Sequence, residues 1–206
     1  MSPQNRSRVS WSLLLQWTMV NAVGWALGAT VRQFAFGFLA AAAGPSLGRA
    51  IEGAIIGTAV GIAQIFALEG VFLRSTRWIL ASTIGWAVGW SLGWSLGWSL
   101  PGLVGLTAVF AVMGALAGVV GGAIQWVILR QHVGQAGWWV LTSAVGWAVG
   151  LSLAVSIGRA LGWALAGAAG GLLTGIPLIF LLRRRPQAAP QVHTAAQEPE
   201  STPLDS

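Results

Sequence analysis

The sequence predicts an all-α fold, a polytopic membrane helical bundle of six transmembrane helices built from three parallel two-helix repeats. Three observations lead to this prediction. The 206 residues are 55% hydrophobic and only 8% charged, whereas a soluble domain is about 25% charged. Apolar runs of about 20 residues, the length that crosses a bilayer as a helix, recur along the chain. A Gly-Trp motif returns at a constant offset of 61 residues, at Gly24, Gly85 and Gly146.

The apolar runs define the helices in chain order. A membrane β-barrel would need short segments of alternating polarity, which are absent. The predicted spans cover residues 11–31, 50–72, 77–100, 103–129, 137–157 and 160–182. A cytoplasmic N-terminal segment (1–10) precedes the transmembrane domain (11–185). Residues 186–206, rich in Pro, Ala, Gln and acidic residues, are predicted to form a disordered cytoplasmic tail.

The repeat extends well beyond the Gly-Trp pair. LQWTMVNAVGWALG, TRWILASTIGWAVG and GWWVLTSAVGWAVG align without gaps, and Gln64 and Gln125 in the second helix of a unit are again 61 residues apart. A degenerate third copy, GGLLTGIPLIFLLRRR, has Pro177 where the Gln is expected. The predicted units cover residues 11–71, 72–132 and 133–185. Two helices per unit keep the units in one orientation, so three hairpins can close into a pseudo-threefold bundle.

The basic residues predict the topology. All eleven are Arg, and most stand singly or in pairs at the ends of apolar runs, which favours membrane orientation over nucleic-acid binding. Eight lie on the N-terminal side and three, Arg32, Arg49 and Arg159, on the other, so both termini are predicted in the cytoplasm, with the protein in the bacterial inner membrane. The expected partners are the bilayer and a second membrane protein or a second copy. Glu52 can pair with Arg49, and both are expected at the membrane interface.

Glycines at every fourth position indicate close helix packing. In lipid, helices associate through ridges of small residues that let backbones approach. The predicted helix-packing ridges comprise Gly85, Gly89, Gly93, Gly97, Gly114, Gly118 and Gly122.

The tryptophans divide into two predicted groups. Trp86 lies nine residues after Arg77, about 13.5 Å along a helix, and Trp25 and Trp147 share this register near the middle of the bilayer. We favour packing of these three indoles on each other; the alternative is an aromatic cavity for a hydrophobic ligand such as a carotenoid, quinone, chlorophyll or lipid. The predicted aromatic belt at the membrane interfaces comprises Trp17, Trp78, Trp98, Trp126, Trp138 and Trp139.

Five polar residues in the apolar spans are candidates for contacts between helices. Depth along the helices predicts hydrogen bonds from Gln64 to Ser82 and from Gln125 to Ser143. The alternative is a polar ring, completed by Asn21, that lines a solute path.

Residues with obvious catalytic chemistry are missing from the sequence. There is no Cys, and the chain lacks a P-loop, G-x-S-x-G, H-E-x-x-H or a pair of carboxylates within a span. We therefore predict a protein that is not an enzyme and has no metal site, and the sequence identifies no cofactor.

The QWVILR helix end followed by WWVLTSAVGWAVG resembles Gly/Trp-rich polytopic membrane proteins of bacteria, including cyanobacteria and filamentous anoxygenic phototrophs. The resemblance covers most of residues 11–185 and implies a polytopic fold without a particular activity. Two function classes follow. The favoured one is a non-enzymatic structural or assembly protein, or a binder of a hydrophobic ligand; the alternative is a channel or small-solute transporter.

Overall fold

The computed structural model describes residues 3–68, 76–97, 99 and 105–183. The predicted tail, Glu69 and Trp98 lie outside these residues. The described residues form six α-helices and no strand, which confirms the all-α prediction. The helices are α1 (Pro3–Ala43), α2 (Pro45–Leu68), α3 (Thr76–Gly97), α4 (Leu106–Leu129), α5 (Trp138–Ile157) and α6 (Arg159–Arg183).

Helix α1 is much longer than its predicted span. Its 41 residues correspond to about 60 Å of helix. It begins at Pro3, so the predicted N-terminal segment contributes to it, and it ends where Gly44 adopts a φ of 77°. This left-handed conformation suits glycine, and α2 then starts at Pro45, whose ring favours the first turn of a helix. Gly158, with a φ of 69°, separates α5 from α6 in the same way.

The helices form a closed ring. Each helix packs on the next one in the chain, and α6 packs on α1 to close the circle. Among the described residues, no other pair of helix backbones comes into contact. The space inside the ring is therefore filled by side chains alone.

Four helices are long and apolar enough to cross a membrane: α2, α4, α5 and the Leu161–Arg183 part of α6. The outer surface is apolar on the other two helices as well. On α3 the exposed stripe recurs at every fourth residue and comprises Leu80, Ile84, Val88, Leu92 and Leu96. The matching stripe on α1 comprises Leu15, Met19, Val23, Leu27 and Val31.

The glycine ridges lie at the contacts between neighbouring helices. The α3 ridge faces α4: a Cβ built on Gly85 would lie 2.6 Å from Cα of Gly121, and one on Gly89 would lie 2.6 Å from Cα of Ala117. Gly93 and Gly97 face Met113 of α4. The α4 ridge of Gly114, Gly118 and Gly122 faces α5. These backbones approach so closely that a larger residue would force the helices apart.

Candidate functional site in the bundle interior

Three tryptophans meet at the centre of the ring. Trp25 of α1, Trp86 of α3 and Trp147 of α5 form a triangle whose ring centroids are 5.0 Å (Trp25 to Trp86), 4.9 Å (Trp86 to Trp147) and 5.2 Å (Trp25 to Trp147) apart. All three are at most 5% exposed. Because the indoles touch one another, they fill the interior at this level instead of lining an open cavity.

The Gly-Trp pair explains how the triangle is built. The glycine faces the partner helix of the same hairpin: a Cβ on Gly24 would lie 2.9 Å from Cα of Val60 in α2, and Gly85 meets Gly121 of α4. The next residue points about 100° further round the helix, which directs Trp25 and Trp86 into the ring. Close packing of the hairpin and filling of its interior are therefore assigned to adjacent positions.

A second aromatic layer lies about two helical turns away. Trp17, Trp78 and Trp139, themselves 61 residues apart, are at most 4% exposed, and Trp139 lies 6.0 Å from Trp17 and 6.1 Å from Trp78 between ring centroids. The aromatic-belt prediction is therefore wrong for these three. Eight residues separate Trp17 from Trp25, which places them on one helix face. Trp138, one position before Trp139, is 60% exposed.

Gln64 joins three consecutive helices. Its Oε1 accepts a hydrogen bond from Nε1 of Trp78 on α3 at 2.9 Å, and its Nε2 donates to Oδ1 of Asn21 on α1 at 2.9 Å. The predicted bond from Gln64 to Ser82 is wrong. The indole N–H of Trp78 occupies the acceptor oxygen of the amide on the α3 side, so the amide nitrogen reaches back to α1.

Gln125 repeats this arrangement one unit later. Its Oε1 accepts from Nε1 of Trp139 at 3.0 Å, and its Nε2 donates to Oγ of Ser82 at 3.0 Å. The predicted bond from Gln125 to Ser143 is wrong for the same reason. The buried amides, hydroxyl and indoles bond to one another, so this layer links helices together.

Thr174 takes the corresponding place in the third unit. Trp17 Nε1 donates to Thr174 Oγ1 at 3.0 Å, so the prediction that Pro177 stands at the Gln position is wrong. A threonine has a single polar group, and its hydroxyl donates to the Gly170 carbonyl at 2.7 Å. Ser143 Oγ is buried without a hydrogen-bond partner. The third unit thus lacks the bond that Gln125 makes to Ser82.

We expect Thr174→Gln to stabilise the protein by about 0.6 kcal/mol, the mean for such a bond in a membrane bundle, because a second polar group can reach Ser143. The free energy of unfolding, measured by detergent denaturation, checks this. The gain should disappear in the Ser143→Ala background. An equal gain with and without Ser143 would contradict the expected bond.

A charged cluster lies at the end of the ring that carries the α1–α2 turn. Glu52 is 1% exposed, and its carboxylate accepts from Arg49 Nη1 at 2.7 Å, Arg32 Nη1 at 3.3 Å and Trp90 Nε1 at 3.3 Å. The prediction of an interfacial Glu52 is therefore wrong. Its position is one turn from Ile56, which is also fully buried, so both belong to the inward face of α2.

Both guanidinium groups of this cluster lie over indoles. Arg32 Cζ is 4.9 Å from the ring centroid of Trp163 and 5.7 Å from that of Trp90, and Arg49 Cζ is 3.8 Å from that of Trp94. Trp163 in turn stacks on Trp25 at 5.9 Å. Arg32 Nε is buried and has no hydrogen-bond partner. The cluster is thus continuous with the aromatic interior.

The described residues contain no group of three His, Cys, Asp or Glu side chains that could hold a metal ion. Two shallow grooves open on the outer surface. One, of about 120 Å³, is lined by Trp11, Leu14, Ile176, Ile179, Phe180 and Arg183; the other, of about 290 Å³, by Ile62, Ile65, Phe66, Thr76 and Ile79. Both are smaller than the pockets that usually enclose a small molecule.

Comparison of the chain with protein-family models, with curated proteins and with solved structures finds no match.

Proposed function

We propose that this protein is a non-enzymatic structural or assembly protein of the bacterial cytoplasmic membrane, with both termini in the cytoplasm. The observation that carries the proposal is the filled interior. Two layers of buried indoles, with hydrogen-bonded amides alongside one of them, occupy the inside of the ring. A bundle filled in this way presents its outer surface to its partners, which would be lipid and another membrane protein or a second copy.

The proposal includes six membrane spans arranged as three parallel two-helix repeats. Apolar stripes on α1 and α3 support spans for these two helices, whose Trp, Gly and Ser residues lower the hydropathy. Matching contacts 61 residues apart support the repeats: Gly57 meets the backbone of Ser82, and Gly118 meets that of Ser143. In the third unit Gly167 meets the backbone of Asn21, which fits a shorter connection between α5 and α6.

A channel or transporter receives less support from this geometry. The triangle of Trp25, Trp86 and Trp147 stands where an axial path would run, and Gln64 and Gln125 spend their amide groups on neighbouring helices. A hydrophobic ligand inside the ring would have to displace these indoles from each other. A ligand of this class would therefore bind on the outer surface.

The proposal is tested on the full chain purified from its native membrane in mild detergent. We expect an absorption spectrum with protein bands only, ordinary lipids by mass spectrometry of extracted small molecules, and a membrane protein or second copy captured by cross-linking. In liposomes we expect ion and solute fluxes equal to those of protein-free vesicles, with gramicidin as the positive control for the assay.

Two results would overturn it. A stoichiometric carotenoid, quinone or chlorin would assign the protein to ligand binding. A solute flux that rises with the amount of protein per vesicle would assign it to transport.

A further inference from the structure

The charged cluster at the α1–α2 turn carries more positive than negative charge. Arg32 and Arg49 share one carboxylate, that of Glu52. The other four acidic residues of the chain are Glu69, at the opposite end of α2, and three that follow residue 185. The described part of the chain therefore supplies no second carboxylate to neutralise the pair.

The cluster also contains a buried donor that lacks an acceptor. Arg32 uses Nη1 for Glu52, while its Nε is buried without a hydrogen-bond partner. A buried donor of a charged group is costly to leave unsatisfied, by more than a neutral one, and such atoms in native proteins call for a bound ion or water. An acceptor that also carries negative charge would satisfy both the donor and the excess charge.

The surroundings fit an oxyanion. Trp90, Trp94 and Trp163 hold the guanidinium planes in fixed positions, and a planar guanidinium matches phosphate and carboxylate oxygens in a bidentate manner. The side chains of Arg32 and Arg49 remain 15% and 23% exposed, so an anion can reach them from outside the ring. Glu52, at 2%, is enclosed behind them.

We propose that Arg32 and Arg49 bind an oxyanion of the phosphate class, either the phosphodiester of an anionic lipid headgroup or free phosphate, at this end of the bundle. In this site Glu52 orients the two arginines and also competes with the anion for them. The inference does not rest on the proposed assembly role, because a channel or a ligand-binding protein with the same cluster would hold the same anion.

The test uses the full chain in two arms. In one, native mass spectrometry counts phosphatidylglycerol molecules retained by protein taken from nanodiscs that mix phosphatidylglycerol with phosphatidylcholine. In the other, inorganic phosphate is titrated calorimetrically into protein in an uncharged detergent. Retained phosphatidylglycerol identifies the lipid as the source, and phosphate binding alone identifies the free ion.

Three variants separate binding from a structural ion pair. We expect Arg49→Gln to weaken anion binding about tenfold, the effect of one charge-assisted hydrogen bond. Glu52→Gln removes the competing carboxylate and should tighten binding. Arg130→Gln is the matched control, because Arg130 also lies over an indole, Trp126 at 5.0 Å, but on the surface at the other end of α4.

The signs of these effects decide the matter. A purely structural ion pair would lose stability in both Arg49→Gln and Glu52→Gln without a gain in anion binding by the latter. Absence of binding in both arms would overturn the proposal, as would an Arg49→Gln protein that binds like Arg130→Gln. If Arg49→Gln does not fold, Glu52→Gln alone decides: unchanged or weaker binding would overturn the proposal.

Discussion

Trp86→Ala should lower the free energy of unfolding by about 3–5 kcal/mol, the usual cost of removing a large buried aromatic side chain. Trp86 lies about 5 Å from both Trp25 and Trp147, and no backbone crosses the ring to fill the space it would leave. In a bilayer the loss is mainly one of dispersion contacts, since lipid offers the unfolded helices an apolar environment too. Detergent denaturation followed by circular dichroism measures the change.

Trp138→Ala is the control for this variant. It removes the same side chain from the outer face of α5, where Trp138 is 60% exposed, and should cost much less. Equal losses for Trp86→Ala and Trp138→Ala would show that the central triangle does not stabilise the bundle.

Gly118→Ala should lower the free energy of unfolding by about 1–3 kcal/mol or more, the range for an overpacked contact. The added methyl group would overlap the backbone carbonyl of Ser143 on α5, and a backbone cannot move aside as a flexible side chain can. The expected result is a separation of α4 from α5, detected as lower stability and as faster proteolysis of the loop between them.

Gly121→Ala provides a control three residues further along the same helix. A Cβ there has only Gly85 C within 4 Å, at 3.9 Å, which is an ordinary contact. We expect its stability to equal or slightly exceed that of the unchanged protein, because alanine favours a helix more than glycine does. Similar losses in the two variants would mean that the effect is one of helix propensity and does not arise from helix contact.

Much of the architecture is encoded in local patterns that can be read without a structure. Apolar runs predict the helices, and residues at every fourth position predict which face is small. The structure brings Trp25, Trp86 and Trp147 together as the shared register suggests. A constant sequence offset is informative here because it places equivalent side chains at equal depth on three helices.

The parts that the sequence did not predict depend on the direction of side chains across the ring. Trp17 and Trp139 have the composition and depth of belt residues, and only the azimuth around the helix distinguishes them from Trp138. The recipient of the Gln64 amide depends on competition with the Trp78 indole, which depth alone does not reveal. Glu52 is buried because it shares a face with Ile56, although its position near a helix end favours an interfacial prediction.

The shortened connection in the third unit explains the remaining error. The α5–α6 connection is the single residue Gly158, which moves α6 relative to the 61-residue register. Thr174, 49 residues after Gln125, makes the contact that an unshortened copy would give to residue 186. A substitution combined with a length change conceals such an equivalence from a gapless alignment.

The closed ring also imposes an order on biosynthesis. Five of the six helix interfaces join segments that are consecutive in the chain, so each can form as soon as its second helix leaves the ribosome and enters the membrane. The interface between α1 and α6 must wait for the whole chain, and until then one flank of α1, with Asn21 and the indole of Trp17, lacks its final neighbour. Local contacts favour rapid assembly, so docking of α6 is the slow and vulnerable step, at which a membrane chaperone or a second nascent copy would compete for the open edge.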